Sequence, residues 1–292
     1  MTLSVAQARQ IAGIFSRPIF RELASDHPSP KVRRQLQLAS DSLAFVGGEV
    51  RELFDTAFGA LVRDYRSEYV YKNIITKKLI FGVHSPNSAA LLTEFWVNHS
   101  KADSVVLNGT STVYEIKTEY DNLSRLPQQL ADYTKVFDRI NVVTHDGAVS
   151  SVLAMVPEHV GVIALSRRKS LQKVKPATSN IDRLDHWTMF NCLRKQEFAN
   201  ILTRRFGGIP QTTPDMLRTL AFEQFSRLPK DVLSAEFVHE VRKRTTDMEV
   251  AQFASALPES LRTLGLSERL SRVARTRLLA TLASSRALSL GD

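Results

Sequence analysis

The sequence predicts a mixed α/β fold: a mixed sheet flanked by helices, with helical regions at both ends of the chain. Three observations support this. Through residues 1–80, apolar side chains such as Leu53, Phe54 and Leu61 recur at the 3.6-residue spacing of a helix. Between about residues 102 and 166, the spacing changes to short apolar runs typical of strands. From Trp187 onward the helical spacing returns without strand-like alternation.

The first predicted elements are helices. The segment RSEYVYKNIITKKLIFG mixes β-branched and aromatic residues with helical spacing, and we favour a helix there. A further helix is predicted from Ser85, which suits the N-cap, and Pro86, which suits the first helical position. Ala89, Leu92 and Trp96 follow at helical spacing.

A hairpin is predicted next, over residues 102–119. Two β-rich runs surround Asn108-Gly109, a pair that tolerates the positive φ angles of a type I′ turn. The segment LSRLPQQLADYTKVF then reads as a helix with Pro127 in its first turn. RINVVT and VGVIALS are apolar runs of the kind found in buried strands, and SSVLAMV between them suits a helix. This order of elements predicts the mixed sheet.

A change of composition suggests the domain boundaries. The chain becomes basic around residues 167–175 and continues into the loop-like PATSNID. We therefore predict a helical N-terminal region at residues 1–68, an α/β core at 69–175 and a helical C-terminal region at 176–292.

Composition narrows the class of protein. The chain has 292 residues, of which 43% are hydrophobic and 24% charged, as in globular rather than disordered proteins. Its net charge of +9 favours a polyanionic partner. The single cysteine, Cys192, rules out an intramolecular disulfide or a zinc site built from several cysteines. With no secretory pattern and no apolar run near 18 residues, we expect a cytoplasmic protein without membrane contact.

Three polar residues of the hairpin suggest phosphodiester hydrolysis. In Tyr-Glu-Ile-Lys, Glu115 and Lys117 are two residues apart, which places both on one face of a strand, and Asp103 enters from the neighbouring strand. Carboxylates hold the hard cations that neutralise phosphate charge, so Asp103 and Glu115 are candidate metal ligands, with the carbonyl of Ile116 as a further one. Lys117 would orient or deprotonate the water.

A Glu-x-Lys triplet by itself is uninformative, because about one should occur by chance in a chain of this size. The context is what matters: the triplet ends a hairpin strand, an Asp precedes it on the partner strand, and Gln129 and Tyr133 follow one helical turn apart. This arrangement resembles the PD-(D/E)XK nuclease superfamily, and Gln-x-x-x-Tyr resembles its RecB-type branch. The stretch YEIKTEYDNLSRLPQQLADYTKVFD is similar to a poorly characterised bacterial and phage-associated family of that superfamily. The resemblance covers about residues 69–165.

The resemblance implies a restriction-endonuclease-like fold and a Mg2+-dependent nuclease, with Mn2+ as the alternative ion. It makes Asp103 and Glu115 metal ligands and Lys117 the catalytic lysine. It also suggests Glu94, on the helix before the hairpin, as an accessory acid, although an ordinary exposed Glu is equally expected there. Gln129 and Tyr133 would face the site, whereas the plain interpretation of Tyr133 is a core residue with its hydroxyl at the edge. The family's first element is often Pro-Asp, and this chain has Ala102-Asp103.

The predicted partner is nucleic acid, DNA rather than RNA. The candidate phosphate contacts are basic, although solvated loops or ion pairs explain them about as well; they are Arg125, Arg167, Arg168, Lys169, Lys173 and Lys175. Asp121 is expected to cap the following helix or brace the turn before it. Two alternatives stay open: a nucleic-acid-binding or assembly subunit that does not cut, and a toxin or phage-defence effector activated by a partner. A protein partner or a second copy would bind through the C-terminal helices.

Overall fold

The computed structural model of the protein describes residues 2–166 and 168–285. By contact density the chain forms two compact units, one built from the residues up to Pro86 together with those from Asp247 onward, the other from Asn87–Thr246.

The regular elements of the first unit, among its described residues, are all helices or helical turns. Phe54 and Tyr71 are among its fully buried side chains, and Phe15 packs edge-on against Phe54 with ring centroids 5.4 Å apart. The predicted helix over residues 66–82 is confirmed, with its second half in the wider π form. The elements are α1 Val5–Gly13, α2 Arg17–Leu23, α3 Pro30–Ser42, α4 Val50–Asp64, α5 Glu68–Ile75, a π-helix Thr76–Val83, α12 Met248–Ala256, a 3₁₀ turn Glu259–Leu261, α13 Arg262–Ser267 and α14 Arg272–Leu282.

The second unit contains a six-stranded mixed sheet whose spatial order is the chain order, from β1 to β6. The β3–β4 and β4–β5 pairs are parallel and the other three pairs are antiparallel. The predicted α/β class with helical flanks is thereby confirmed. The strands are β1 Ala90–Val97, β2 Ser100–Leu107, β3 Ser111–Lys117, β4 Arg139–His145, β5 Gly161–Leu165 and β6 Leu171–Lys175.

Helices cover this sheet and share one hydrophobic core with it. Val105 and Val142 of the sheet belong to the same buried cluster as Phe190 and Phe237 of the later helices. The compact units do not end at the predicted boundaries 68/69 and 175/176. The unit that contains the sheet begins at Asn87, and it extends to Thr246 because the helices after residue 176 pack on the sheet. The helices are α6 Leu126–Thr134, α7 Val149–Met155, α8 His186–Cys192, α9 Lys195–Phe206, α10 Pro214–Phe225 and α11 Lys230–Arg242, with 3₁₀ turns at Asp146–Ala148 and Ile181–Arg183.

The helix predicted from Pro86 was wrong. Residues 90–97 form β1 and pair with β2. Ala90, Leu91, Phe95 and Val97 are the buried apolar residues of this strand, and its pairing with β2 outweighed the helical spacing of Leu92 and Trp96.

Two smaller expectations also need correction. The β2–β3 hairpin forms, but the register Leu107↔Ser111 leaves a three-residue loop in which only Gly109 has positive φ, so the turn is not type I′. No strand was predicted in the basic segment, yet Leu171–Lys175 is an edge strand, where exposed charge discourages unwanted pairing. None of the helices in the described part of the chain combines the length and apolarity needed to cross a bilayer.

Candidate active site

Asp103 lies at the point where β2 and β3 separate. Their antiparallel register runs from Leu107↔Ser111 to Ser104↔Tyr114 and stops one residue short of Asp103. There the Asp103 side chain replaces the missing ladder bond, because its Oδ2 accepts the backbone N–H of Ile116 at 2.8 Å. The acidic side chain is thus tied directly to the strand that carries Glu115 and Lys117.

Glu115 is the hub of a hydrogen-bond network between β3 and α6. Its Oε1 accepts from Lys117 Nζ at 2.8 Å and from Gln129 Nε2 at 2.6 Å. Its Oε2 accepts from the Tyr133 hydroxyl at 2.8 Å. Lys117 Nζ also donates to Gln129 Oε1 at 2.8 Å, so lysine, glutamine and carboxylate form a closed ring of contacts. The structure therefore brings together four of the predicted residues.

Burial makes this network energetically demanding. Glu115 is 1% exposed, Lys117 7% and Tyr133 0%. Removing the charges of Glu115 and Lys117 from water costs several kcal/mol per ion. The attraction between them offsets this cost only when further hydrogen bonds satisfy the carboxylate and the ammonium. Gln129 and Tyr133 supply those bonds, and helix α6 holds both on the turn facing β3 because they are four residues apart.

The pKa of the Tyr133 hydroxyl is raised well above its ordinary value, first by burial and then by the negative charge of Glu115. Tyr133 therefore remains a neutral donor to the carboxylate. It is also a core residue, since its ring packs edge-on against Phe137 at 6.1 Å. The core interpretation of this residue therefore holds, and its hydroxyl reaches Glu115 as well.

Glu94 lies on β1 and not on a helix as predicted. The pairs Thr93↔Ser104 and Phe95↔Ala102 place it opposite Asp103, and its φ of 60° puts the backbone in the left-handed region, which is costly for a side-chain-bearing residue. Carboxylate oxygens of Glu94 and Asp103 lie within 4.8 Å of one another. Glu115 does not join this pair at that spacing, because α6 and Lys117 hold it. Glu94 also forms an ion pair with Lys101.

The remaining predicted ligand is the carbonyl of Ile116. In an extended strand the N–H and C=O of one residue point to the same neighbouring strand. Since the N–H of Ile116 bonds to Asp103, its carbonyl faces the same opening between β2 and β3.

The turn after β3 is braced as expected. Asp121 accepts from the backbone N–H of Thr118 at 2.9 Å and from its hydroxyl at 2.7 Å. Arg125 is exposed at the residue before α6, on the segment that joins this turn to Gln129.

The described residues of the basic segment 168–175 lie at the β6 edge of the sheet. Arg167 is outside the described residues. Arg168 and Lys169 are exposed in the β5–β6 turn, and Lys173 is exposed on β6. Lys175 donates to the carbonyl of Pro157 at 2.8 Å. Two strands separate β3 from β6, so at about 4.8 Å per strand these residues lie about 14 Å from β3, rather than beside Asp103.

Lys101 and Trp96 border Glu94 and were not predicted from the sequence as site residues. They form a cross-strand pair in the β1–β2 hairpin, with Lys101 Nζ 5.7 Å from the Trp96 ring centroid. The available signal was Asn98-His99, the two residues of a tight turn between β1 and β2. Reading β1 as a helix concealed that turn.

Comparisons with known proteins give a family. The sequence model described as bacteriophage P4 protein cII matches residues 62–260, about two thirds of the chain. Protein cII of Enterobacteria phage P4 is 27% identical over 106 residues, which span 36% of this chain and 40% of the phage protein. Among solved structures, the SPO1766 protein of unknown function from Silicibacter pomeroyi aligns at 13% identity over 48% of this chain and 73% of its own, but its TM-score of 0.26 is too low to bear on the fold. The match over residues 62–260 shows that the chain belongs to the bacteriophage P4 protein cII family.

Proposed function

We propose that this protein is a metal-dependent nuclease of the PD-(D/E)XK type that hydrolyses phosphodiester bonds, of DNA rather than RNA. The observation that carries the proposal is the ring of contacts among Glu115, Lys117 and Gln129 beside Asp103. The motif resemblance required the helix residues to face the strand residues, and Gln129 and Tyr133 do contact Glu115.

The donor set fits a hard divalent cation. Glu94, Asp103 and Glu115 offer carboxylate oxygens and Ile116 a carbonyl, which are the ligands that Mg2+ takes in proteins. Carboxylate oxygens of Glu94 and Asp103 lie within 4.8 Å of one another, so these two residues would hold one ion together. A carboxylate has about four lone-pair sites, and the three donors to Glu115 leave one for an ion. When bound, Mg2+ would supply charge neutralisation and a more acidic water.

The protein's own residues divide the remaining work. Lys117 would hold the attacking water by hydrogen bonding and offset the charge that develops on the phosphate. Gln129 would fix the direction of the lysine ammonium, because it bonds to Lys117 and Glu115 at once. Asp103 accepts the Ile116 N–H at the opening between β2 and β3 and so fixes the two strands there. The net charge of +9 would favour a polyanionic substrate, and the cytoplasm is the compartment we propose.

A second candidate is a nucleic-acid-binding or assembly subunit that does not cut. The observation that favours it is the number of donors to Glu115, since three of them bond to its two oxygens and hold it away from the Glu94–Asp103 pair. Under this alternative the network would be only a structural brace between β3 and α6.

Cleavage of circular and linear DNA, single- and double-stranded, with Mg2+ or Mn2+ separates the two candidates. We expect cleavage by the wild-type chain and a loss of at least about a hundredfold in Lys117→Ala and Glu115→Ala. Gln128→Ala is the matched control, because Gln128 neighbours Gln129 on α6 but bonds to Asp132 instead. Binding of nucleic acid without cleavage of any form would support the non-cutting subunit.

A further inference from the structure

Trp96 is an exposed aromatic residue on an edge strand. Its side chain is 63% exposed, and β1 has a paired neighbour only on its β2 side within the described sheet. The cross-strand partner Lys101 places its ammonium over the indole, 5.7 Å from the ring centroid. A large aromatic face and a cation are thus presented together at the surface.

This surface adjoins the candidate active site. Lys101 pairs with Glu94, and a Glu94 oxygen lies within 4.8 Å of Asp103. Trp96 is two residues from Glu94 along β1, a distance of about 7 Å in a strand. A single-stranded nucleic acid with a phosphate at Asp103 would therefore be within reach of the indole.

We propose that Trp96 and Lys101 form a stacking platform for single-stranded DNA that enters or leaves the site. An unpaired base would stack on the Trp96 indole, and Lys101 would exchange its contact with Glu94 for a backbone phosphate. This proposal adds to the proposed function and rests on it, because the platform would bind the strand whose phosphate lies at Asp103.

The chemistry favours a single strand over a duplex. Bases inside a duplex have both faces stacked on their neighbours, whereas an unpaired base offers a face to an aromatic side chain. Stacking is tolerant of sequence, because every base has such a face. The Lys101 ammonium is attracted to the indole ring, which holds it beside the proposed stacking face. There it would complement the negative charge of a backbone phosphate.

The chain has two tryptophans, Trp96 and Trp187, so each can be observed alone. Trp187 is the matched control, since it is also exposed, at 51%, but packs edge-on against Phe222 at 4.7 Å on the helical side of the unit. In EDTA, which stops metal-dependent hydrolysis, a short oligothymidylate should quench the fluorescence of Trp187→Phe, where Trp96 remains. It should leave the fluorescence of Trp96→Phe unchanged.

Affinity measurements give a second test of the platform. Trp96→Ala should weaken oligothymidylate binding between about fivefold and a hundredfold and leave duplex binding unchanged, while Trp187→Ala should alter neither. Lys101→Gln should reduce the slope of log affinity against log salt by about 0.7, the loss of one phosphate contact to a single strand.

Three results would overturn the platform: no quenching of Trp96, equal affinities in Trp96→Ala and wild type, or a change of oligomeric state in Trp96→Ala without a change in DNA binding. The last would identify the β1 edge as a protein interface. The outcome is separable from the nuclease proposal. Trp96 quenching with no cleavage in Mg2+ would refute the nuclease alone, and cleavage without quenching would refute the platform alone.

Discussion

The Tyr133 hydroxyl donates a hydrogen bond to Oε2 of Glu115 at 2.8 Å, with both side chains almost completely buried. The bond joins the middle of α6 to β3 and leaves Tyr133 packed within the core beside Phe137. Because the acceptor is an ionised group removed from water, this hydroxyl matters both for the stability of the fold and for the direction in which Glu115 points.

Tyr133→Phe should destabilise the protein by about 1–3 kcal/mol, because the ring remains but a buried carboxylate oxygen loses its donor. Urea unfolding followed by circular dichroism measures this. Tyr120→Phe serves as control, since Tyr120 is half exposed and its hydroxyl loss should change stability by less than about 0.5 kcal/mol. Equal midpoints for Tyr133→Phe and wild type would contradict the importance of the bond.

The same residue predicts a loss of stability at alkaline pH. Burial and the charge of Glu115 raise the pKa of Tyr133 in the folded state. A raised pKa means that the contribution to stability is complete below the unfolded value of about 10 and is lost as the pH rises above it. Stability should therefore fall more steeply above pH ~10 in wild type than in Tyr133→Phe. Parallel stability profiles for the two proteins would contradict this.

The Lys117–Glu115 pair predicts a strongly non-additive pair of substitutions. Lys117→Met should cost about 3–5 kcal/mol, because it leaves the Glu115 charge buried without its ammonium partner. Adding Glu115→Gln removes that charge and should recover most of the loss, since a buried ion pair replaced as a whole is often neutral in stability. A double-mutant cycle on unfolding free energies measures the coupling. Additive losses would show that the two groups do not interact.

The sheet core and the site residues on it were predictable because their signals are local. The two-residue spacing of Glu115 and Lys117 placed both on one strand face, and the four-residue spacing of Gln129 and Tyr133 placed both on one helix face. That Gln129 and Tyr133 would face the strand residues was expected from the motif resemblance, and both do contact Glu115.

The incorrect predictions concern features that depend on tertiary pairing. Leu92 and Trp96 fit a helix in isolation, and only hydrogen bonding to β2 decides that residues 90–97 are a strand. The unusual backbone of Glu94, with φ of 60°, depends on its position opposite Asp103 and has no sequence signal. The ion pair between Glu94 and Lys101 was hidden by the same error.

Asp103→Asn should separate the structural role of Asp103 from metal binding. The asparagine side-chain oxygen can still accept the Ile116 N–H, so the fold should keep its stability, whereas Asp103→Ala should lose about 1 kcal/mol with that bond. Under the proposed function, Mg2+ should raise the melting temperature of wild type in proportion to the free energy of binding, and this increase should vanish in Asp103→Asn. Differential scanning calorimetry with Mg2+ and after EDTA tests both effects. An undiminished Mg2+ response in Asp103→Asn would argue against a metal at this carboxylate.

The ion-pair cluster between α9 and α11 predicts a loss of stability in acid. Glu236 accepts from Arg204 and from Arg205, each at 2.6 Å. Burial alone would raise the pKa of Glu236, but hydrogen bonds from the two arginines outweigh it and the pKa is lowered. A lowered pKa means that the contribution is complete above the unfolded value of about 4.3 and is lost as the pH falls below it.

Glu236→Gln should therefore be less stable than wild type at neutral pH, by an amount on the order of 1 kcal/mol because the arginines are partly exposed, and the difference should shrink as the pH falls below about 4. Arg227→Gln is the control, an exposed arginine of the same unit for which we expect a change below about 0.5 kcal/mol at any pH. Unfolding in urea between neutral and acid pH measures the three proteins side by side. A difference between Glu236→Gln and wild type that stays constant with pH would mean that the arginines do not stabilise the ionised carboxylate.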